Sequence, residues 1–246
     1  MRRENKPRFL YHAHAIGLAA SLTKPTTVFL DAQPVSALPV AGGRSSARVE
    51  NFRFQDIISY RLAETQTVGV SGTESGTFST VATVAVEGLN ILNVLTADRI
   101  VARLASRHFL DEDREPSILT LGSHFENLKI GGREIKFDLD RQVMSEWHVF
   151  TDAVKGWLAG GSGRDLRNNR VHTSIVSNIQ PLDGCDVDSH SIHFPDFGTV
   201  FLGELQITRD ERRLTMLRVE LGCAYEGDVT CAEGAGNGSP APPLTP

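Results

Sequence analysis

The densest run of metal-binding side chains is "DGCDVDSHSIHFPDFG", where Asp183, Asp186, Asp188, His190, His193 and Asp196 crowd into 14 positions. Hard carboxylate oxygens at alternating positions suit calcium, and His190 with His193 suits zinc. Asp186, Asp188, His190 and His193 are therefore the candidate metal ligands, with calcium or zinc as the ion. The helix-loop-helix calcium pattern is incomplete, because its glycine and final glutamate are missing. A solvated loop ahead of a strand is the competing reading.

A second pair lies in "FLYHAHAIGLAASLTKP", residues 9 to 25, where His12 and His14 stand two positions apart. On a strand that spacing puts both on one face, roughly 7 Å apart. Two imidazoles so placed can begin a metal site, but no Glu follows within the next few residues to extend it. The same stretch, behind "MRRENKPR", resembles a secretion signal whose apolar run is interrupted by the two histidines and whose basic start is diluted by Glu4. Read with period two it is a first strand with apolar residues on both faces, and that reading is preferred.

Nucleophilic chemistry has no visible seat. Neither G-x-S-x-G nor a phosphate-cradling loop is present, and "GGSGRD" at 160–165 lacks the lysine of the latter. Paired carboxylates for glycoside chemistry leave no local spacing. No catalytic residue is assigned, and the expectation leans away from an enzyme. Cys185, Cys223 and Cys231 form an odd set without C-x-x-C, which argues against a disulfide framework or a zinc ribbon. Cys223 and Cys231 can pair only if adjacent strands bring their Cα atoms within about 7 Å.

The elements that must position these residues read as strands. Phe78, Thr80, Ala82, Val84 and Val86 alternate with Ser79, Val81, Thr83 and Ala85, the clearest period-two run in the chain. Residues 46–62 alternate imperfectly, which suggests a bulge near Glu50 to Phe52. "LTADRIVARLASRHF" fits a strand or a loose helical face, and strand is preferred. Gly131-Gly132 joins two alternating runs as a tight hairpin. "VENF" at 49, "VEGL" at 86 and "FENL" at 125 echo one another at spacings of 37 and 39, either by chance or as equivalent kinks in three long strands.

One segment departs from the pattern. Val143, Trp147, Phe150, Val154 and Trp157 recur at helical spacing, Asp140 can cap the start, and Gly160-Gly161 can end the run. This predicts one amphipathic helix over about 140–159, covering the sheet or, through Trp147 and Trp157, meeting a partner. The tail "EGAGNGSPAPPLTP", 233–246, reads as disordered.

Net charge of −5 and a pI near 5.9 lack the basic excess that attracts a phosphate backbone, so nucleic acid is not an expected partner. No run of 18 apolar residues is present to span a membrane as a helix.

The order "AIGLAA", "LPVAGG", "VEGLNILNVLTADRIVARL", "GSHFENLKIGGREI", "FPDFGTVFLGELQI" and "LTMLRVELG" resembles the bacterial choice-of-anchor type modules over most of residues 13 to 222. The resemblance implies a β-rich bacterial module, often secreted and surface-linked, with no catalytic residues to carry over. The want of a clear signal peptide points instead to the cytoplasm.

Together these readings predict a mainly β domain over 1–232, an antiparallel β-sandwich or flattened barrel with one covering helix. Its expected role is a non-catalytic binding or structural module, working without a cofactor and meeting a protein or a second copy of itself rather than a small molecule. The alternative is a metal-dependent enzyme using the 183–196 loop.

Overall fold

The structure is a computed structural model and describes residues 9–74, 76–111, 114–145, 148–158, 165–167, 170–208 and 211–240. Six long strands come first: β1 (Phe9–Lys24), β2 (Val28–Ala37), β3 (Gly43–Phe54), β4 (Ile58–Ser71), β5 (Thr77–Ile91) and β6 (Leu95–Phe109). Short pieces follow: β7 (Ser117–Leu119), β8 (His124–Glu126), β9 (Lys129–Ile130), β10 (Arg133–Glu134), β11 (Asp138–Leu139), α1 (Arg141–Ser145), β12 (His148–Val149) and α2 (Phe150–Leu158). The chain then forms β13 (Asp165–Arg167), β14 (Arg170–Ser174), β15 (Val176–Ser177), β16 (Asp186–Asp188), β17 (Ser191–Phe194), β18 (Gly198–Ile207), β19 (Arg212–Gly222) and β20 (Glu226–Pro240).

The fold is mainly β, and every strand pairing is antiparallel. The first sheet runs β13-β14-β18-β19-β20-β1-β2, with the β16–β17 hairpin added on β18. The second runs β10-β9-β6-β5-β4-β3, with β7 and β8 also on β6. Strands β1, β19 and β20 lie over β4, β5 and β6, and the core fills the space between. In β5 the alternation is as expected, with Phe78, Thr80, Ala82, Val84 and Val86 buried and the intervening residues half-exposed. The flattened-barrel alternative is not formed, because β2 and β3 approach each other without pairing. No helix among the described residues is long and apolar enough to cross a membrane.

Two expectations are corrected. The single helix over about 140–159 is two short helices separated by β12, because His148 and Val149 pair with Ile118 and Ser117 of β7. Asp140 does cap the first, its Oδ1 accepting the Val143 N–H at 3.0 Å. Helical spacing carried across the break because Val143 and Phe150, each buried, belong to separate turns docked on the same core. Trp147 lies outside the described residues, and of Trp157 only the backbone, in α2, is described.

The other correction is the tail. Residues 233–240 are not disordered but form the second half of β20, hydrogen-bonded between β19 and β1. Its glycines are there for close approach of the sheets. A Cβ on Gly234 would stand 3.3 Å from that of Ala82, and one on Gly236 would stand 3.1 Å from the hydroxyls of Ser106 and Thr80. Residues 241–246 lie outside the described residues.

The internal echo has a structural counterpart. Asn51, Gly88 and Asn127, the third residue of each copy, all adopt left-handed backbone, with φ of 52°, 66° and 50°. Register places them on one transverse line, Asn51 facing Arg61, and Gly88 and Asn127 facing Asp98. At that line the in–out alternation shifts by one residue, so Val86 and Leu89, three apart, are both buried. Gly203 and Ala232 mark a similar line in the first sheet, with φ of 63° and 55°.

Candidate functional site

In the β16–β17 hairpin Asp186 pairs with His193 and Asp188 with Ser191, so these side chains share one face. The four predicted ligands nevertheless separate. His193 Nδ1 lies 3.2 Å from the Thr199 hydroxyl, while His190, at the turn, aims its Nε2 at Glu204, 3.8 Å away. Asp183 contributes its carbonyl to Arg133, and Asp196 turns the chain into β18 with φ of 58°. His12 is exposed, and His14 approaches Glu233 at 3.8 Å. Among the described residues no group of three or more His, Cys, Asp or Glu side chains stands close enough to hold a metal ion. Two ligands on a hairpin bind divalent ions weakly, so melting in chelator, calcium and zinc is expected to give one midpoint. A zinc- or calcium-dependent rise, removed by both Asp188→Ala and His193→Ala, would contradict this.

The outer face of the first sheet instead carries two saturated carboxylates. Glu204 accepts two hydrogen bonds from Arg218, at 2.7 and 2.9 Å, and Arg218 stacks 3.8 Å over the Phe201 ring. Burial alone would raise the Glu204 pKa, but the Arg218 and His190 contacts outweigh it and hold the carboxyl down at about 2. Glu233 is only 8% exposed, and burial again opposes ionisation. Contacts from His14, Arg213 and Thr215 lower its pKa all the same. The two stand two strands apart, roughly 10 Å, near the separation of inverting glycosidase pairs. In both, the lowered pKa favours the ionised carboxylate at neutral pH.

A Ser–His relay was not anticipated from the sequence. Thr80 Oγ1 and Ser106 Oγ are 2.5 Å apart, and Ser106 Oγ is 2.7 Å from His108 Nε2. Ser106 is 0% exposed and His108 1%, so no substrate reaches them. Burial, helped by the Arg212 charge, lowers the His108 pKa to about 4. The three free cysteines are equally unavailable as a disulfide. Cys231 faces the core opposite Leu217, where burial raises its thiol pKa, while the Cys223 Sγ beyond β19 contacts the Tyr225 backbone.

A further site among the described residues is a cleft of about 550 Å³ on the outer face of the second sheet, crossing β3 to β6. Its volume falls within the usual range for small ligands. Arg44, Ser46 and Arg48 line one side from β3, Gln66 and Thr83 form the floor, and Arg99 stands opposite. Ser46 pairs with Gln66, Gln66 with Thr83, and Thr83 with Arg103, so one row crosses four strands. Arg48 is held by Glu64 at 3.1 Å and by Glu50 at 2.5 Å, and Arg99 reaches Glu87 at 3.8 Å. Arg44 and Arg103 have no carboxylate partner among the described residues. The sequence signal was present in "RSSARVE": Arg44, Ser46, Arg48 and Glu50 alternate with Ser45, Ala47 and Val49, which gives a strand whose outer face is fully polar.

Residues 9–160 match the family model for a domain of unknown function, DUF8256, which is more than half of the chain. The chain belongs to that family. No curated protein and no solved structure matches it. The DUF8256 stretch contains the whole of the second sheet and every residue of the arginine-lined cleft, whereas the 183–196 hairpin lies outside it. It does not close on itself, since β1 takes its partner β20 from beyond residue 160.

Proposed function

We propose that this DUF8256 chain is a non-catalytic β-sandwich binding module whose ligand sits on the outer face of the second sheet. The observation that carries the reading is the cleft itself. It is large enough for a small ligand or a segment of a polymer, and it is built from long, mutually paired strands rather than loops. It also falls entirely within the family stretch. The expectation of a protein partner rested on Trp147, which lies outside the described residues, and on Trp157, of which only the backbone is described. A bacterial, surface-linked setting, implied by the resemblance to choice-of-anchor type modules, belongs to the same proposal.

The test is a thermal-shift panel of neutral and charged soluble saccharides, organic acids and peptides, run on the wild type and on Thr83→Trp. Thr83 is half-buried on the cleft floor, and a strand face accepts an aromatic residue without loss of fold. The expected result is a ligand that raises the wild-type midpoint and has no effect on the plugged variant. A ligand that stabilises both equally, and loses its effect with His193→Ala, would move the function to the β16–β17 hairpin.

A further inference from the structure

We propose that Asn237–Gly238, near the end of β20, is a site of self-modification, where the asparagine is deamidated through a cyclic imide. It is the one place in the chain where glycine follows asparagine. Glycine carries no Cβ to hinder its nitrogen, so the preceding side chain can close on it. The fold sets up that approach. The Gly238 N–H donates to Asn237 Oδ1 at 2.6 Å. Asn237 Cγ, one C=O bond further, therefore stands roughly 3–3.5 Å from the nitrogen, the separation of a near-attack arrangement.

Two features of β20 leave the pair able to react. Pairing with β19 stops at Gly236, opposite Arg212, so at residues 237 and 238 the ladder continues on β1 alone. Asn237 is only half-buried, which admits the water and base that the reaction needs. The glycine is itself required by the packing, since a Cβ on Gly238 would stand 2.3 Å from the Phe9 ring. In the reaction the Gly238 nitrogen bonds to Asn237 Cγ and gives its proton to solvent base. The Cγ–Nδ2 bond breaks, and ammonia leaves with a proton returned by solvent. Water then opens the imide at either carbonyl, to an aspartyl or an isoaspartyl residue. The isoaspartyl product adds a methylene to the main chain, which puts Ser239 and Pro240 out of register with Leu10 and Phe9. The Phe9 ring stacks 4.4 Å from Phe78 and lies 5.3 Å from His108, so the modification loosens the cover of the buried Ser106–His108 relay.

The test is peptide mapping of the full chain after incubation at neutral pH in heavy-oxygen water, beside a synthetic peptide of residues 232–240. The expected result is loss of the amide and uptake of a solvent oxygen at position 237 ahead of every other asparagine. The rate should fall within about tenfold of the free peptide's, because the fold holds the reacting atoms together instead of shielding them. An isoaspartyl-specific methyltransferase should label the product, and the Phe9–Tyr11 amides should exchange faster in it than in fresh protein. Asn237→Gln keeps an amide but must close a larger ring, so it should react at neither rate and retain the melting midpoint of fresh protein. A reaction more than about tenfold slower than the peptide's would show that the strand protects the pair and overturns the proposal. Deamidation that falls first on another asparagine overturns it too, as does equal reaction in Asn237→Gln.

Discussion

Truncation after Ala232 is expected to abolish cooperative folding, although it removes only a Gly- and Pro-rich segment that composition would call dispensable. Glu233–Pro240 is half of a strand central to the first sheet, paired with Arg212–Thr215 on one side and Phe9–Ile16 on the other. Its loss would leave two ladders of backbone groups without partners and uncover Ala82 and Leu104 of the opposite sheet. Each buried, unpaired backbone group costs about 1–3 kcal/mol, and several together exceed the stability of an ordinary domain. The truncated chain should show no melting transition and no near-ultraviolet circular dichroism. A truncated protein that melts as the full chain does would show that residues 233–240 contribute nothing to the sheet.

Acid should destabilise the protein in a window set by His108. Its pKa falls from 6.5 to about 4 on folding, chiefly through burial. The folded state therefore holds His108 neutral where the unfolded chain already binds a proton. Stability from this group is complete above about pH 6.5, is lost progressively as pH falls toward 4, and is constant below that. The full loss amounts to about 3 kcal/mol, from 1.36 kcal/mol per pKa unit. Glu204 acts in a lower window, its contribution being lost as pH falls from 4.5 toward 2. Denaturant unfolding at several pH values should show His108→Gln to be less sensitive to acid between 6.5 and 4, whatever its stability at neutral pH. An unchanged pH slope in that variant would contradict the assignment.

Much of the fold was legible because its cause is local. The strict alternation at 78–86 follows from one face of β5 meeting the core, and Gly131-Gly132 follows from a two-residue turn in which both residues need positive φ, here 55° and 77°. The imperfect alternation at 46–62 had a real source, the left-handed residue at Asn51, which shifts the in–out phase. Glycines in β20 were misread because their reason is tertiary. Nothing within "EGAGNGSP" shows that Ala82, Thr80 and Ser106 will press against it. The supposed single helix failed for a related reason, since β7 captures His148 and Val149 and interrupts it.

The candidate sites divide in the same way. Clustering in sequence drew attention to Asp186, Asp188, His190 and His193, but an antiparallel hairpin sends neighbouring residues to different partners, Thr199 and Glu204. The cleft gathers Arg44, Gln66, Thr83 and Arg99 from four strands spread over 56 positions, which no local spacing reveals. Even the Ser106–His108 relay, two residues apart on one strand, gave no sign of its burial, because what covers it comes from Phe9 and Phe78 on other strands.

The most direct measurement is amide chemical-shift mapping of the full chain titrated with the compound that raises its melting midpoint in the thermal-shift panel. Saturable changes are predicted at Arg44–Arg48, Glu64–Gln66, Thr83–Ala85 and Arg99, with the β16–β17 hairpin unaffected. Changes confined to Asp186–Phe194 would contradict a ligand-binding face on the second sheet.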